Sequence, residues 1–195
     1  MNSEDADALY NKIGGKFYNS RRYKEAIQCY SKALKINPGD ENAWFMKGLA
    51  LFRQKRYDEA LPCCCKSLEI KKKNNTDALL LKAGILSGLE RYEEAVQCCN
   101  KVLKVCSKDV DCFTLKITAL LFLDRHDEAL QNCNKALDID SKDVNLWNTK
   151  GLALIGLKRY DESLRCYNKA LEIEPENKTA CNAKGFILDS KKNKG

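Results

Sequence analysis

One motif returns along the chain at a nearly fixed interval. Arg22-Tyr23-Lys24-Glu25-Ala26-Ile27 recurs as Arg56-Tyr57-Asp58-Glu59-Ala60-Leu61 and Arg91-Tyr92-Glu93-Glu94-Ala95-Val96. It returns as Arg125-His126-Asp127-Glu128-Ala129-Leu130 and Arg159-Tyr160-Asp161-Glu162-Ser163-Leu164, at steps of 34, 35, 34 and 34 residues. A unit of that size cannot bury its apolar face alone, so the chain must stack copies around a shared core. The one extra residue falls in the polar connector Lys71-Lys72-Lys73-Asn74-Asn75, which can absorb it. Within a unit, Trp44, Gly48 and Leu51 share one helical face, and Ala60, Cys64, Ser67 and Leu68 share another. Only 3 Pro and 10 Gly in 195 residues leave too little turn chemistry for an all-β chain.

Each unit is therefore a pair of helices. First helices are predicted near 7–20, 41–54, 76–89, 110–123 and 144–157, and second helices near 23–36, 57–70, 92–105, 126–139 and 160–173. The repeats run 7–40, 41–75, 76–109, 110–143 and 144–177. A single helix near 178–190 closes a domain spanning 1–195. Its Thr179, Asn182, Lys184, Asp189 and Lys191 suit a solvated cap, and residues 192–195 are expected to fray. Pro62 falls inside a second helix, where a missing N–H predicts a kink or a loosened first turn.

The column Gly14, Gly48, Gly151, Gly185 (with Ala83 and Ile117 as departures) is preceded four residues earlier by Tyr10, Trp44, Leu79, Phe113, Trp147 and Cys181. With Ala33, Ala136, Ala170, Pro38 and Pro175, this pattern resembles the tetratricopeptide repeat family over nearly the whole chain. Ser67 and Val102 replace the alanine, and Lys72, Ser107 and Ser141 the proline. The resemblance implies an all-α, right-handed superhelical solenoid of stacked antiparallel helix pairs. Its first helices would line a concave face that binds peptides or partner helices.

Little in the chain points to catalysis. The one histidine, His126, stands in the Tyr column and should pack as that ring does. No Gly-rich phosphate loop follows a strand. The recurring Glu residues lie near the starts of second helices, where the dipole favours them. The 11 Cys form an odd set without a secretory leader, against a disulfide framework. Cys29, Cys63, Cys98 and Cys166 fill one column, and Cys64, Cys99 and Cys133 the next. Columns one helix spacing apart (roughly 8–10 Å) suit neither a disulfide nor a tetrahedral metal. Cys63-Cys64-Cys65 lie on three sides of a helix and are read as packing residues. No catalytic residue, metal or cofactor is predicted.

The net charge is +7, and no apolar run is long enough to span a membrane. A cytoplasmic protein is expected. The first two repeats carry +4 each, the fourth −3 and the tail +4, so no continuous basic track for nucleic acid exists. The column Lys47, Lys82, Lys116, Lys150, Lys184 should lay its stems along the core edge.

The predicted groove comprises Asn11, Lys12, Asn42, Phe45, Met46, Leu49, Phe52, Leu80, Leu81, Leu115, Thr118, Phe122, Asn145, Asn148 and Leu152, with Phe45, Met46 and Phe52 as anchors. Some relatives clamp a C-terminal carboxylate with basic residues. The matching positions here (Asn11, Gly15, Met46, Asp77 and Leu81) are not basic, so that mode is not expected. The functional expectation is a non-enzymatic scaffold holding an apolar peptide or amphipathic helix. A self-associating scaffold is the alternative, and a thiol or metal-responsive protein a distant third.

Overall fold

The computed structural model describes residues 3–71 and 75–192. Residues 72–74 of the connector, and the last three of the tail, lie outside the described residues, as does the Lys191 side chain. The described residues form eleven helices and no strand: α1 (Ser3–Asn19), α2 (Tyr23–Ile36), α3 (Glu41–Arg53), α4 (Tyr57–Ile70), α5 (Thr76–Gly88), α6 (Tyr92–Val105), α7 (Val110–Phe122), α8 (His126–Ile139), α9 (Val144–Gly156), α10 (Tyr160–Ile173) and α11 (Lys178–Lys192). They fall into two compact units, residues 1–105 and 106–195. In the first, α1 to α6 each pack on the next; in the second, α7 to α11 do the same.

Two kinds of helix start explain the repeat motif. Most first helices are capped by a side chain: Asp40, Asn75, Asp109 and Asp143 accept from the N–H of Ala43, Ala78, Cys112 and Leu146. Second helices start differently. The Arg that opens the motif pairs with the Glu three residues on: Arg22–Glu25, Arg56–Glu59, Arg91–Glu94, Arg125–Glu128 and Arg159–Glu162, at 2.6–2.9 Å. These exposed pairs stabilise little individually, but they explain why both charges return in every repeat.

The turn between the helices of each pair is a Schellman motif built without glycine. Arg21, Lys55, Glu90, Asp124 and Lys158 hold φ of 55–59°. The bonds Arg22 N–H to Phe17 O and Arg21 N–H to Tyr18 O show the pattern, at 2.9 Å each.

Within pairs, the small column of the first helix receives the side chain sixteen positions later on the second. A Cβ added to Gly14 would lie 2.8 Å from the Tyr30 ring, and one on Gly151 2.7 Å from Tyr167. At Gly48 the helices themselves come closer: a Cβ would meet Cys63 Cβ at 3.4 Å and the backbone Ala60 O and Cys64 N at 3.5 Å. The same register sets Ala83 opposite Cys99 and Ile117 opposite Cys133, all four fully buried. The second cysteine column is core packing, since Cys64, Cys99 and Cys133 are all fully buried.

The expected loosening at Pro62 does not occur. α4 keeps the 14 residues of α2, and its first turn is intact, with Ala60 N–H on Arg56 O at 3.0 Å. Pro62 and Asp58 are both exposed, so the carbonyl left without a proline N–H faces water.

Candidate functional site

The concave side of the first unit is largely filled by its own side chains. Phe45, Leu49 and Phe52 pack against the core around Leu51, Cys64 and Ile85, and Met46 packs against the Tyr30 cluster. Phe52 leans on Gly84, at 3.3 Å from where a Cβ would be, and sits 5.7 Å from the Tyr57 ring. The expected anchors are therefore half-buried supports. Leu81 is buried in the same core, so it offers no groove surface. Its helix position turns it inward, one step past the half-buried Leu80.

The asparagines expected to meet a ligand divide in two. Asn11 Nδ2 donates to Asp40 Oδ2 at 2.6 Å and to Asp7 Oδ1 at 3.0 Å, clasping the cap of the next repeat. Asn148 is buried and donates to Asn177 Oδ1 at 3.0 Å; Asn177 in turn caps α11 through the Ala180 N–H. Both are repeat-to-repeat fasteners: Asp40 caps with Oδ1 and takes Asn11 on Oδ2, whereas Asn177 Oδ1 accepts from both Ala180 N–H and Asn148 Nδ2. Lys12, Asn42 and Asn145 are exposed, and Leu115 is half-buried.

Two open apolar clefts lie in the second unit. A cleft of 420 Å³ is lined by Thr118, Leu121, Phe122, His126, Thr149, Leu152, Ile155 and Gly156. A neighbouring cleft of 400 Å³ shares Thr149, Leu152 and Ile155, and is completed mainly by Tyr167, Thr179, Ala183 and Phe186. Leu152 on α9 separates the two. Phe122, Leu152 and Phe186 are 64%, 52% and 69% exposed. Of the expected residues, Thr118, Phe122, Asn148 and Leu152 line these clefts. Phe186 extends the column Leu49, Gly84, Thr118, Leu152 by one more repeat. The register could have given it, had α11 not been read as a purely polar cap.

His126 packs as its column requires. A Cβ on Gly156 would run into its Nε2, as one on Gly88 would lie 2.6 Å from the Tyr57 ring. It forms part of the cleft wall.

The lysine column has a definite role inside the repeat. Lys47 and Lys150 sit over the Trp44 and Trp147 rings, at 5.6 and 5.2 Å. The Arg hydrogen bond, with Lys47, Lys82, Lys116 and Lys150 adding to it, holds the carboxyls of Glu59, Glu94, Glu128 and Glu162 below their ordinary range. α3, α5, α7 and α9 thus each offer a cation to the acidic start of their own second helix, whereas α1 has Ile13 at that position.

Burial raises the thiols of Cys29, Cys63, Cys98 and Cys166, and pushes those of Cys64 and Cys133 up to about 12. Cys63 Sγ donates to Glu59 O at 3.4 Å and Cys64 Sγ to Ala78 O at 3.0 Å, so the run points in different directions. Among the described residues no group of three or more His, Cys, Asp or Glu is placed to hold a metal. Only Cys106 and Cys181 are exposed. A soluble aromatic disulfide at about pH 8 should therefore label two thiols quickly and all 11 only after denaturation. Five or more fast thiols in the native protein would contradict this packing.

Helix pairs in a constant register, with an apolar cleft along the first helices, define a helical-repeat protein. A family model described as anaphase-promoting complex, cyclosome, subunit 3 matches residues 1–67 and 19–101, and the tetratricopeptide repeat model matches 144–177. Overlapping matches to one model are what a repeat produces, since one copy can stand for the next. The chain belongs to the tetratricopeptide repeat family. Among solved structures, MamA is 19% identical, covering 89% of this chain and 94% of its own, with a TM-score of 0.82. MamA from Desulfovibrio magneticus RS-1 is 18% identical over 89% and 98%, with 0.84. YrrB, described as a TPR protein with an unusual peptide-binding site, is 20% identical over 90% of each chain, with 0.80. At such identities these structures share the fold. No protein of curated function matches the chain. Among the described residues no helix is long and apolar enough to cross a membrane.

Proposed function

We propose that the chain is a non-enzymatic scaffold that holds an apolar peptide segment of a partner protein in the two clefts beside Leu152. The observation that carries this reading is the continuity of the clefts, which share Thr149, Leu152 and Ile155 and include the exposed Phe122, Leu152 and Phe186 in their walls. Apolar surface of this kind marks an interaction site. The description of YrrB as a peptide-binding TPR protein supports the same use of a shared fold.

The trough has few polar groups to spare. Thr118 and Thr149 hydroxyls already donate to Thr114 O and Asn145 O, at 2.8 and 2.6 Å, and Asn148 Nδ2 donates to Asn177 Oδ1, while Asn148 Oδ1 and His126 Nδ1 are buried without a hydrogen-bond partner among the described residues. Recognition therefore rests on bulky side chains, one seated on each side of Leu152, more than on hydrogen bonds to a peptide backbone.

Random peptides displayed on phage and selected on the full chain should converge on two bulky apolar residues a few positions apart. Leu152→Asp should weaken the selected peptide at least tenfold with helicity unchanged, a loss of about 1.4 kcal/mol. Undiminished binding would overturn the cleft assignment. A concentration-dependent dimer that the same substitution dissolves would instead assign the surface to self-association.

A further inference from the structure

α11 does not end the repeat as a solvated cap would. It packs on α10 through Ala180 and Ile187, both buried. About 100° further round the helix lie Cys181, Gly185 and Leu188. These occupy the columns through which every other first helix receives its own second helix: Trp147, Gly151 and Leu154 in α9; Trp44, Gly48 and Leu51 in α3. Leu51, Leu86, Leu120 and Leu154 are all buried, whereas Leu188 is 42% exposed. Gly14 and Gly151 lie under tyrosine rings, whereas a Cβ on Gly185 would meet nothing within 4 Å. Cys181 is exposed as well. The receiving surface of a helix pair is complete, and among the described residues no helix lies on it.

We propose that this face of α11 binds an amphipathic helix of a partner protein, with an aromatic ring seated on Gly185 and an acidic residue facing Lys184. The chain's own second helices give the chemistry of that partner. Glu25-Ala26 is followed by Tyr30 and Ala33, and Glu162-Ser163 by Tyr167 and Ala170. The partner helix therefore carries an acidic residue, a small residue next to it, a ring four positions on, and alanine three further. The acidic residue follows from charge complementarity. Lys47, Lys82, Lys116 and Lys150 each help hold down the carboxyl of the Glu in the matching place, and Lys184 is the next member of that column. Residues 178–195 carry +4 in all, which favours an acidic helix over a basic one.

A second copy of the chain is a poorer occupant on two grounds. The rings that would fit, Tyr30 and Tyr167, are already buried in their own repeats. Stacking α1 of another copy end to end is opposed by Lys16, which is exposed in a column otherwise filled by Ala50, Ile85, Ala119, Ala153 and Ile187. This surface is separate from the cleft wall, to which α11 contributes Thr179, Ala183 and Phe186.

The probe is a fluorescent peptide copying residues 159–174, which contains the Glu162, Ser163, Tyr167, Ala170 pattern, titrated with the full chain. Saturable binding is expected, weakened at least tenfold by Tyr167→Ala in the peptide. Gly185→Leu in the chain should abolish binding while leaving the melting temperature unchanged or higher, because its side chain enters open space. Equal binding by the Gly185→Leu chain, or no binding at all by the parent, would overturn the proposal. So would a dimer of the chain alone that Gly185→Leu dissolves, since that would give the face to a second copy. Leu152→Asp should leave this binding intact, which separates it from the cleft.

Discussion

A chain carrying Gly151→Ile should melt roughly 10 °C below the parent, and adding Tyr167→Cys should restore at least half of that loss. The Cβ of any residue at position 151 would lie 2.7 Å from Tyr167 Cζ and 2.9 and 3.0 Å from the next ring atoms. Tyr167 is itself buried, so moving its ring aside would disturb the packing around it. Overpacking of this kind costs about 1–3 kcal/mol, and each kcal/mol lowers the melting temperature of a unit this size by about 4 °C or more. The gain in helix propensity on replacing glycine, about 0.5 kcal/mol, does not offset it. The second substitution recreates the pair already found in the preceding repeat, where Ile117 and Cys133 are both fully buried. Thermal melts of both single variants and the double close a cycle whose coupling should be about 1–3 kcal/mol. Loss without rescue would mean that the glycine is needed for backbone approach, as at Gly48, and that ring size is secondary.

Stability should fall steadily as the pH rises above about 9, under reducing conditions that keep every thiol free. The cause is the fully buried Cys64 and Cys133, whose thiols burial pushes up to about 12 from an ordinary 9.0. In the unfolded chain these thiols lose their protons near the ordinary value, whereas the fold keeps them neutral. Between the two values the unfolded state binds fewer protons, so each step up in pH favours unfolding. Below about 9 both states are protonated and the effect vanishes. Each thiol contributes up to roughly 1.4 kcal/mol per pH unit inside that window. Tyr30, pushed up to about 12 from 10.0 mainly by burial, acts in the same direction. Urea midpoints at a series of pH values from 8 to 11 measure the slope. The double variant Cys64→Ala, Cys133→Ala should begin lower, having lost sulfur packing, but decline less steeply. Parallel declines would refute the assignment.

The helices themselves were legible because their signals are local and repeated. The motif beginning at Arg22 fixes the start of every second helix, and all five run over the expected residues. Tyr and Trp columns, the small column and the interruption at 71–75 locate the rest. The reading of the binding surface was less complete, for reasons seen in particular side chains. Phe52 and Leu152 lie on similar sides of their helices, but Phe52 has Gly84 beside it and folds down, whereas Leu152 stands between two clefts. Asn11 and Asn148 look like donors for a ligand until Asp40 and Asn177 are seen to hold them. Which neighbour a residue meets in the next repeat depends on identities about 30 positions away, and a column of equivalent positions averages over those differences.

The period of 34 residues and its apolar columns determined, by themselves, an all-helical repeat whose second cysteine column lies in the core, because an amphipathic helix pair can bury its face only by stacking. The tertiary structure decided where that stack remains open. Phe45, Met46, Leu49 and Phe52 pack down in the first unit while two clefts stay open in the second, and among the described residues no helix lies on Gly185, which leaves a pairing face exposed on α11. Both depend on how closely particular backbones approach and which side chains fill the space between them, and a repeat pattern does not contain that distance.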